Sequence, residues 1–158
     1  MKDSSIQFED YHPSHLNQLI QLLSLNTPQY FALTEEADFM HYLKAEIEDY
    51  FSVIIQGEIV GCGGINYDLA HNLAIISWDI IHPEYQGKSL GKRLLEFRID
   101  RIKLNYLIQK VVVRTSQHAY GFYEKAGFKL IHTKNDFWAK GFDLYYMELE
   151  IAIINLSN

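Results

Sequence analysis

The sequence predicts an α/β domain in which helices flank a mixed β-sheet. Strand-like segments outnumber helix-like ones. They occur both as a hairpin and on either side of an intervening helix, which is the connection that joins parallel strands. The predicted order is β-αα-βββ-α-β-α-ββ, with about seven strands and about four helices. Because the 158 residues contain no repeat and no linker-like tract, we expect one domain over residues 4–151 and a tail over residues 152–158.

The first predicted elements are a strand and two helices. Ile6 and Phe8 alternate with polar residues, which indicates a short strand. Leucines then recur with helical spacing behind Ser14, which we expect to cap that helix. Acidic residues crowd the positions after Thr34, where the dipole of a beginning helix favours negative charge. A second helix is therefore predicted from Thr34.

The centre of the chain changes to strand patterns. Phe51–Gln56 and Ile59–Tyr67 are rich in β-branched residues and flank a Gly57-Glu58 turn, which predicts a β-hairpin. Ala74–Ile81 is almost continuously apolar, as in a strand that is buried on both faces, and Pro83 ends it.

The second half of the chain returns to helical spacing from about Ser89 to Asn105, and this spacing directs one stripe inward: Leu90, Leu94, Leu95 and Ile102. A buried strand is predicted over Lys110–Thr115. A short helix is predicted from about Gln117 to Ala126, because Gly127 is well placed to end it. Two closing strands are predicted over Phe128–Thr133 and Phe142–Ile151.

Charge is unevenly distributed along the chain. The net charge of −6 argues against a nucleic acid partner, because duplex binding depends on clustered Lys and Arg. Residues 1–50 carry nine acidic and two basic side chains, whereas residues 84–103 carry six basic and three acidic ones. We therefore expect an anion to bind near the second segment and an acidic surface elsewhere in the fold.

Several features bound the setting in which the protein works. No stretch approaches the roughly 20 apolar residues of a membrane-spanning helix, and no secretory signal is recognisable, so we expect a cytoplasmic location without membrane contact. The single cysteine, Cys62, cannot form an internal disulfide, and its apolar neighbours predict burial. His12 and His15 lack a third ligand nearby, so we expect no metal. Either a monomer or a homodimer is expected.

The segment from Gln86 to Gly91 connects the predicted buried strand to the next helix. The first N–H groups of a helix have no internal partner, and the helix dipole places positive potential there, so this junction favours an anion. Gly87 and Gly91 allow a ligand to approach the backbone closely. Positive potential is added by three basic side chains: Lys88, Lys92 and Arg93.

Three phosphate-binding patterns compete for the glycines of this chain. Gly87-Lys88-Ser89 matches the end of a Walker A loop, but the glycine that such a loop requires at its start is replaced by His82. Gly61-Cys62-Gly63-Gly64 lies within a predicted hairpin, and Asn66 stands where a dinucleotide fingerprint needs glycine. The pattern Gln/Arg-x-x-Gly-x-Gly/Ala fits Gln86 to Gly91 except at Ser89, which replaces its first glycine.

A second motif lies at the junction of the next strand and helix. Its five positions are Ser116, Ala119, Tyr123, Gly127 and Phe128. With these two motifs, the chain resembles the GNAT N-acetyltransferase superfamily over about residues 4–151. That family often shows Asn-x-x-Ala-x-x-x-Tyr-x-x-x-Gly-Phe at this place, so Ser116 replaces the asparagine.

The resemblance implies a fold, a cosubstrate and a set of binding residues. It implies the acyl-CoA N-acyltransferase fold, with acetyl-CoA as cosubstrate and no metal cofactor. Backbone amides of the loop would hold the pyrophosphate, a backbone N–H near Ile80 or Ile81 would stabilise the oxyanion, and Ser116 would contact the pantetheine region. The implied loop residues are Gln86, Gly87, Lys88, Ser89, Leu90, Gly91 and Lys92.

Tyr123 is the candidate proton donor of this reaction. Acyl transfer from a thioester to an amine expels a thiolate, and a phenol with a pKa near 10 is a reasonable donor to a thiolate whose thiol has a pKa of about 8.5. The hydroxyl could also donate a hydrogen bond to sulfur without complete proton transfer. The alternative is that Tyr123, one of eleven tyrosines, only packs in the core.

Asp79 is the candidate catalytic base. It is the only acid on the apolar strand next to the expected acyl site, and a carboxylate placed there needs a reason. It could deprotonate the amine or orient the substrate, or it could instead be paired with a core Arg, a His or a backbone N–H. His82 is interpreted as a turn residue. Val111 occupies the position at which some relatives carry a glutamate.

The acceptor is expected to be a cationic amine, such as a polyamine, an amino sugar, or the lysine or N-terminal amine of a peptide. In the family the first two helices wall the acceptor site, and here they belong to the acidic half, with Tyr30 and Phe31 between them. Two alternatives remain open at this point. One is a CoA-binding sensor or subunit without catalysis, favoured by the departures at Ser89 and Ser116. The other is a nucleotide-binding protein that uses Gly87-Lys88-Ser89.

Overall fold

The structure, a computed structural model, describes residues 5–151; the expected tail over residues 152–158 lies outside this range. Seven strands and four α-helices confirm the predicted fold class. The strands are β1 (Ile6–Asp10), β2 (Asp49–Ile55), β3 (Glu58–Asp68), β4 (Leu73–Ile81), β5 (Lys110–Thr115), β6 (Lys129–Ala139) and β7 (Phe142–Glu150). The helices are α1 (Leu16–Leu25), α2 (Glu35–Ala45), α3 (Leu90–Lys103) and α4 (Tyr120–Lys125).

The strands form one sheet in the order β1-β2-β3-β4-β5-β7-β6. All neighbours are antiparallel except β4 and β5, which run parallel and pair only from Leu73–Ile76 with residues 110–113. Beyond Ile76 and Val113 the two strands separate. This separation in the middle of the sheet provides the opening in which the site lies.

Helices cover the two faces of the sheet through different cores. On one face, Leu95 and Ile102 of α3 and Tyr123 of α4 pack with Ile65 and Val113 of the sheet. On the other face, leucines of α1 and Phe39 of α2 pack with residues of β2, β3 and β4, which include Tyr50, Cys62 and Ile80. The predicted inward stripe of α3 is confirmed, because these residues are all buried: Leu90, Leu94, Leu95 and Ile102.

Several predicted boundaries are wrong for identifiable reasons. Ser14 does not cap α1: a 3₁₀ turn over Pro13–His15 precedes that helix, and the His12 side chain accepts the Ser14 N–H. The hairpin turn is Gln56-Gly57 rather than Gly57-Glu58, with φ values of 51° and 78°. Two positive φ angles match the twist of antiparallel strands, which explains this register.

The remaining differences lie near the C-terminal half of the sheet. The helix α4 begins at Tyr120 rather than Gln117, although Gly127 ends the segment as predicted, with a φ of 102°. The strand β6 runs on to Ala139, six residues beyond the predicted end at Thr133. Lys134, Asn135 and Asp136 are polar and show no strand pattern, and the register with β7 is irregular between Lys134 and Ala139.

Candidate active site

The separation of β4 and β5 opens a cleft of about 960 Å³. All of the predicted site residues line it except Lys88, whose ammonium lies 5.3 Å from the centre of the Tyr85 ring. The lining residues predicted from the sequence are Asp79, Ile80, Ile81, Gln86, Gly87, Ser89, Leu90, Gly91, Lys92, Ser116 and Tyr123. Residues more than 40 positions apart in the chain thus share one opening.

A β-bulge at Trp78 shapes the β4 side of the cleft. Trp78 has a φ of 49°, and the β3–β4 register shifts so that Gly64 faces Ser77 whereas Cys62 faces Ile80. The extra residue reverses the alternation of side chains along β4. Trp78 and Ile80 therefore pack on the α1–α2 face, and the carboxylate of Asp79 turns to the α3–α4 face.

Tyr50 of β2, which lies two strands from β4 in the sheet, holds this bulge in place. Its hydroxyl donates a hydrogen bond to the Trp78 carbonyl oxygen at 2.8 Å. The ring needs the space beside Gly64, where an added Cβ would lie 2.3 Å from a ring carbon. The glycines of Gly61-Cys62-Gly63-Gly64 thus make room for packing, which accounts for a motif that resembled a dinucleotide loop only in composition.

The two candidate oxyanion donors on β4 differ in direction. The His82 N–H donates to the Val60 carbonyl of β3. Because hydrogen-bonded pairs alternate along antiparallel strands, the Ile80 N–H also points to β3, opposite Cys62. The Ile81 N–H then points away from β3, towards the cleft. Of the two, Ile81 has the orientation that the oxyanion role requires.

The loop before α3 offers a row of unpaired backbone donors. Within residues 5–151, the six N–H groups from Gly87 to Lys92 make no hydrogen bond, and the first amide of this region to be bonded is that of Arg93, to the Ser89 carbonyl. Unpaired amides at a helix start, together with the helix dipole, form a site for phosphate oxygens.

Ser89 takes the backbone conformation for which glycine is usual. Its φ and ψ are 62° and 12°, in the left-handed region, and its side chain makes no capping bond to α3. Gly87 is also left-handed, with a φ of 76°. The loop therefore keeps its turn in spite of the serine, at the conformational cost that a Cβ carries in this region.

Gln86 supports the loop through its side chain. Its amide Nε2 donates to the Asn26 Oδ1 at 2.8 Å and to the Ile81 carbonyl at 3.1 Å. Asn26 is buried after α1 and donates to the same Ile81 carbonyl. These bonds tie the start of the loop to the end of β4. The contact of Gln86 with Asn26 could not be predicted from the sequence, because the two residues lie 60 positions apart.

A buried network of Asp79, Arg98 and Tyr123 occupies the base of the cleft. Both carboxylate oxygens of Asp79 accept from the Arg98 guanidinium, Oδ2 at 2.8 Å. The Tyr123 hydroxyl donates to Asp79 Oδ2 at 2.5 Å. Arg98 also donates to the Gly64 carbonyl and is fully buried, whereas the Asp79 side chain is 16% exposed. Asp79 is thus paired with a core arginine, one of the interpretations that the sequence left open.

The environment fixes the protonation of this network. Burial, followed by the negative charge of Asp79, raises the pKa of Tyr123 well above its ordinary value, so the phenol stays protonated. Burial lowers the pKa of the Arg98 guanidinium, but Asp79 more than offsets this and the net shift is upward. Arg98 is one of the six basic side chains of residues 84–103 that were expected to attract an anion, but Asp79 matches its charge inside the fold.

Ser116 and the remaining candidates have local partners. Ser116 is buried, and its hydroxyl oxygen accepts the His118 N–H at 3.2 Å. Its own hydroxyl proton stays available to a ligand in the cleft. His82 accepts the Glu84 N–H and caps a 3₁₀ turn, which confirms its interpretation as a turn residue. Cys62 is buried as predicted, and burial raises the pKa of its thiol to about 12.

The end of the cleft away from the loop is aromatic and partly acidic. Trp78 stacks on Phe31 with ring centres 6.1 Å apart and lies 4.9 Å from Phe39. Glu35 is buried and accepts the Ala32 N–H at 2.7 Å, and burial raises the pKa of its carboxyl group. Residues that line this end are Tyr30, Phe31, Glu35, Tyr42, Glu46, Asn66 and Trp78.

The described residues offer neither a membrane-spanning helix nor a metal-binding cluster. No helix within residues 5–151 is long and apolar enough to cross a membrane. In the same range, no three His, Cys, Asp or Glu side chains are grouped so that they would hold a metal ion.

Known proteins share both sequence and fold with this chain. A family model described as the acetyltransferase (GNAT) domain matches residues 24–151. An amino-acid acetyltransferase from Mannheimia succiniciproducens is 29% identical over 93 residues, which are 59% of this chain and 21% of that protein. The chain thus spans about a fifth of the length of that relative.

Two solved structures extend the comparison to the fold. The ribosomal-protein-S18-alanine N-acetyltransferase from Escherichia coli has a TM-score of 0.79 at 17% identity, covering 98% of this chain and 99% of its own. A spermidine N-acetyltransferase from Vibrio cholerae, in complex with CoA and spermine, has a TM-score of 0.71 at 18% identity, with 92% and 95% covered. The family match over most of the chain, within this shared fold, identifies the protein as a member of the GNAT acetyltransferase family.

Proposed function

We propose that the protein transfers an acetyl group from acetyl-CoA to a primary amine of a small molecule or peptide, by direct attack of the amine on the thioester. The observation that carries this proposal is that one cleft joins a row of unpaired loop amides to the Tyr123 hydroxyl. The first feature suits the pyrophosphate of acetyl-CoA, and the second suits the sulfur that leaves.

The proposed reaction has one addition and one elimination. The amine nitrogen bonds to the thioester carbonyl carbon while the carbonyl electrons move to oxygen, which the Ile81 N–H stabilises. Collapse of this oxyanion breaks the carbon–sulfur bond and releases the thiolate with its electron pair. The attacking amine is neutral. Its nitrogen then loses one proton to solvent water while the thiolate takes one proton from solvent water, so the amide and the free thiol form with no net change in protons.

Tyr123 acts on the departing sulfur, and Asp79 positions it. A phenol whose pKa is raised by burial is a weak acid but a good hydrogen-bond donor, so stabilisation of the thiolate by a hydrogen bond is favoured over complete proton transfer. Asp79 is already neutralised by Arg98, so the hydroxyl can turn from the carboxylate to sulfur without leaving a bare buried charge. In this proposal Asp79 is a positioning residue rather than the base.

The proposed acceptor is a cationic amine. Glu35 and Glu46 line the end of the cleft opposite the loop, and Trp78, Phe31 and Tyr42 surround it with aromatic rings. Carboxylates attract an ammonium ion, and aromatic faces favour cations. The solved structures named for spermidine and for an alanine of ribosomal protein S18 are compatible with such an acceptor.

Tyr123→Phe tests the proposal. We expect kcat with acetyl-CoA and a panel of amines to fall about 100-fold, because the sulfur loses its donor. The affinity for acetyl-CoA, measured by calorimetry, should stay within about twofold, since the loop amides are untouched. Tyr120→Phe is the matched control: this tyrosine lies in the same helix, bonds to Glu124 and is not among the residues that line the cleft, so its turnover should not change.

A CoA-binding sensor is the second candidate, because the only Tyr123 proton is already bonded to Asp79. Acetyl-CoA binding without turnover of any amine by the wild type would favour the sensor. Equal turnover by the wild type and Tyr123→Phe would remove Tyr123 from the mechanism. Binding of ATP in place of acetyl-CoA in the same calorimeter would reject both proposals.

A further inference from the structure

Arg114, an exposed residue of β5, lines the same cleft as Glu35 and Glu46. It is the first residue of β5 beyond the paired stretch that ends at Val113, and it lines the cleft. Val113 packs into the α3–α4 core, so by strand alternation Arg114 points to the other face of the sheet, which carries α1 and α2. Glu35 of α2 and Glu46, which caps the end of α2, belong to the helix layer on that same face.

Two aromatic rings hold the Arg114 side chain. Its guanidinium carbon lies 5.2 Å from the centre of the Phe137 ring and 5.5 Å from that of Trp138. The Trp138 indole N–H donates to the Thr115 carbonyl at 3.0 Å, which fixes the indole over the end of β5. The guanidinium is therefore held by side chains that are themselves anchored, rather than left on a free arm.

The tip of the β6–β7 hairpin is tied to the loop that follows β5. The Gln117 side chain donates to the Gly141 carbonyl and accepts the Asp143 N–H, both at 2.9 Å. Gly141 in turn donates to the Asp136 carboxylate at 2.7 Å. These bonds keep the aromatic wall in place, so Arg114 presents a preorganised cation to the cleft.

The Arg114 guanidinium has no anionic partner within residues 5–151. None of the ion pairs or hydrogen bonds formed among these residues involves it, in contrast to Arg98, whose charge is fully matched by Asp79. Contact with the aromatic rings leaves the N–H groups at the edge of the guanidinium available to a hydrogen-bond acceptor that lies in the guanidinium plane. A carboxylate fits that edge with two parallel hydrogen bonds.

We propose that Arg114 binds a carboxylate group of the acceptor, so that the acceptor carries both an amine and a carboxylate. This inference rests on the proposed function, since it assigns a second recognition group to the same acceptor. The acidic wall at Glu35 and Glu46 receives the ammonium, and the basic wall at Arg114 receives the carboxylate. An acceptor of the amino-acid type, free or at the end of a short peptide, has both groups.

A site with Arg114 and a site with acidic residues alone predict opposite preferences between an amino acid and its amide. Replacing the carboxylate of an amino acid with a neutral amide adds one net positive charge. An acidic site without Arg114 would therefore bind the amide more tightly than the acid. A site with Arg114 loses a bidentate partner when the amide is used, and we expect kcat/KM to fall about tenfold or more from acid to amide.

The experiment compares L-amino acids with their amides as acceptors for the wild type, Arg114→Gln and Lys134→Gln. The control is matched because the Lys134 ammonium lies 5.4 Å from the same Phe137 ring, but Lys134 is not among the residues that line the cleft. We expect the wild type and Lys134→Gln to prefer the acids, and Arg114→Gln to lose that preference. Equal rates for acids and amides in the wild type, or an intact preference in Arg114→Gln, would overturn the inference and leave the proposed function standing.

A binding measurement separates this inference from the proposed function. Calorimetry of the CoA-saturated protein with L-amino acids and their amides requires no turnover. If no amine is acetylated, weaker binding of the acids to Arg114→Gln than to Lys134→Gln would still support the carboxylate site, and equal binding would reject it. If Arg114→Gln bound acetyl-CoA itself more weakly, the anion that Arg114 binds would be part of the cosubstrate. That result would also overturn the inference.

Discussion

The two ends of the cleft are built in different ways. The end proposed for the cosubstrate consists of one contiguous loop, Gln86 to Lys92, in which the six N–H groups from Gly87 onwards are unpaired within the described residues. The end proposed for the acceptor consists of side chains from α2, β3, β4, β5 and β6, with Glu35 and Trp138 more than 100 positions apart. The backbone amides suit the pyrophosphate, a group that does not vary. Side chains at the acceptor end can be substituted one at a time without loss of the turn in the loop.

This difference explains why the sequence indicates a ligand for the loop end but not for the acceptor end. A helix start with glycines recognises phosphate through groups that every residue has, so only the turn must be preserved. Recognition of an acceptor depends on which side chain stands at each place, and these side chains come together only in the folded chain. The junction between the two ends is the Asp79–Arg98–Tyr123 network, so the first prediction concerns that network.

Arg98→Met gives the largest expected effect, because it leaves Asp79 as an unpaired buried charge. We expect the free energy of unfolding to fall by about 3 to 5 kcal/mol. In the double variant Asp79→Asn with Arg98→Met, neither charge remains, and about half of this loss or more should be recovered. Urea unfolding of the wild type and the variants measures both. An equal loss in the single and double variants would show that packing, rather than charge, makes Arg98 important.

A pH titration of stability tests the tyrosines that support the site. Burial, as the first cause, raises the pKa values of Tyr50 and Tyr123 well above 10 in the folded protein. The unfolded chain loses these protons near pH 10 and the folded chain does not, so stability is full below pH 10 and falls as the pH rises further. The slope should be about 1.4 kcal/mol per pH unit for each such tyrosine.

Tyr123→Phe provides the comparison for this titration. The variant lacks one of the two groups, so its unfolding free energy should decline less steeply than that of the wild type above pH 10. Identical slopes would mean that the Tyr123 hydroxyl ionises as easily in the folded protein as in the unfolded one.

Ser89→Gly gives the smallest expected effect and probes the loop end alone. Glycine relieves the left-handed strain at a φ of 62° but increases the entropy of the unfolded chain, so the net gain in stability should be about 0.5 to 1 kcal/mol. Ser89→Ala is the control: it keeps the Cβ, and the serine side chain makes no capping bond, so no gain is expected. Thermal unfolding of both variants measures these changes in stability. An equal gain in stability for Ser89→Ala and Ser89→Gly would contradict the account.

The sequence predicted the fold class and the loop end well, for a physical reason. Both depend on local patterns: apolar alternation, the inward stripe of α3, and glycines at a strand–helix junction. The Gln86–Lys92 region and Gly127 take the turn conformations that their residue types favour, and even Ser89 follows the turn. The end of β6 beyond Thr133 escaped prediction because residues 134–136 are polar and exposed, and because its register with β7 is irregular there.

Arg98 is the residue that the sequence could have placed better. It lies four positions after Leu94 and four before Ile102, both buried, so the helical period itself directs it inward. It was instead counted only as one of the six basic side chains of residues 84–103. The bulge at Trp78 and the stacking of Arg114 on Phe137 and Trp138 had no such signal, because each depends on strands that meet only in the folded sheet.

The most direct test of the central claim is a crystal structure of the protein with acetyl-CoA bound. We predict pyrophosphate oxygens within about 2.7 to 3.2 Å of at least three amides between Gly87 and Lys92. We also predict the thioester oxygen at the Ile81 N–H and the sulfur within hydrogen-bond reach of the Tyr123 hydroxyl. A pyrophosphate held elsewhere, or a Tyr123 hydroxyl that stays on Asp79 with the sulfur out of reach, would contradict the account.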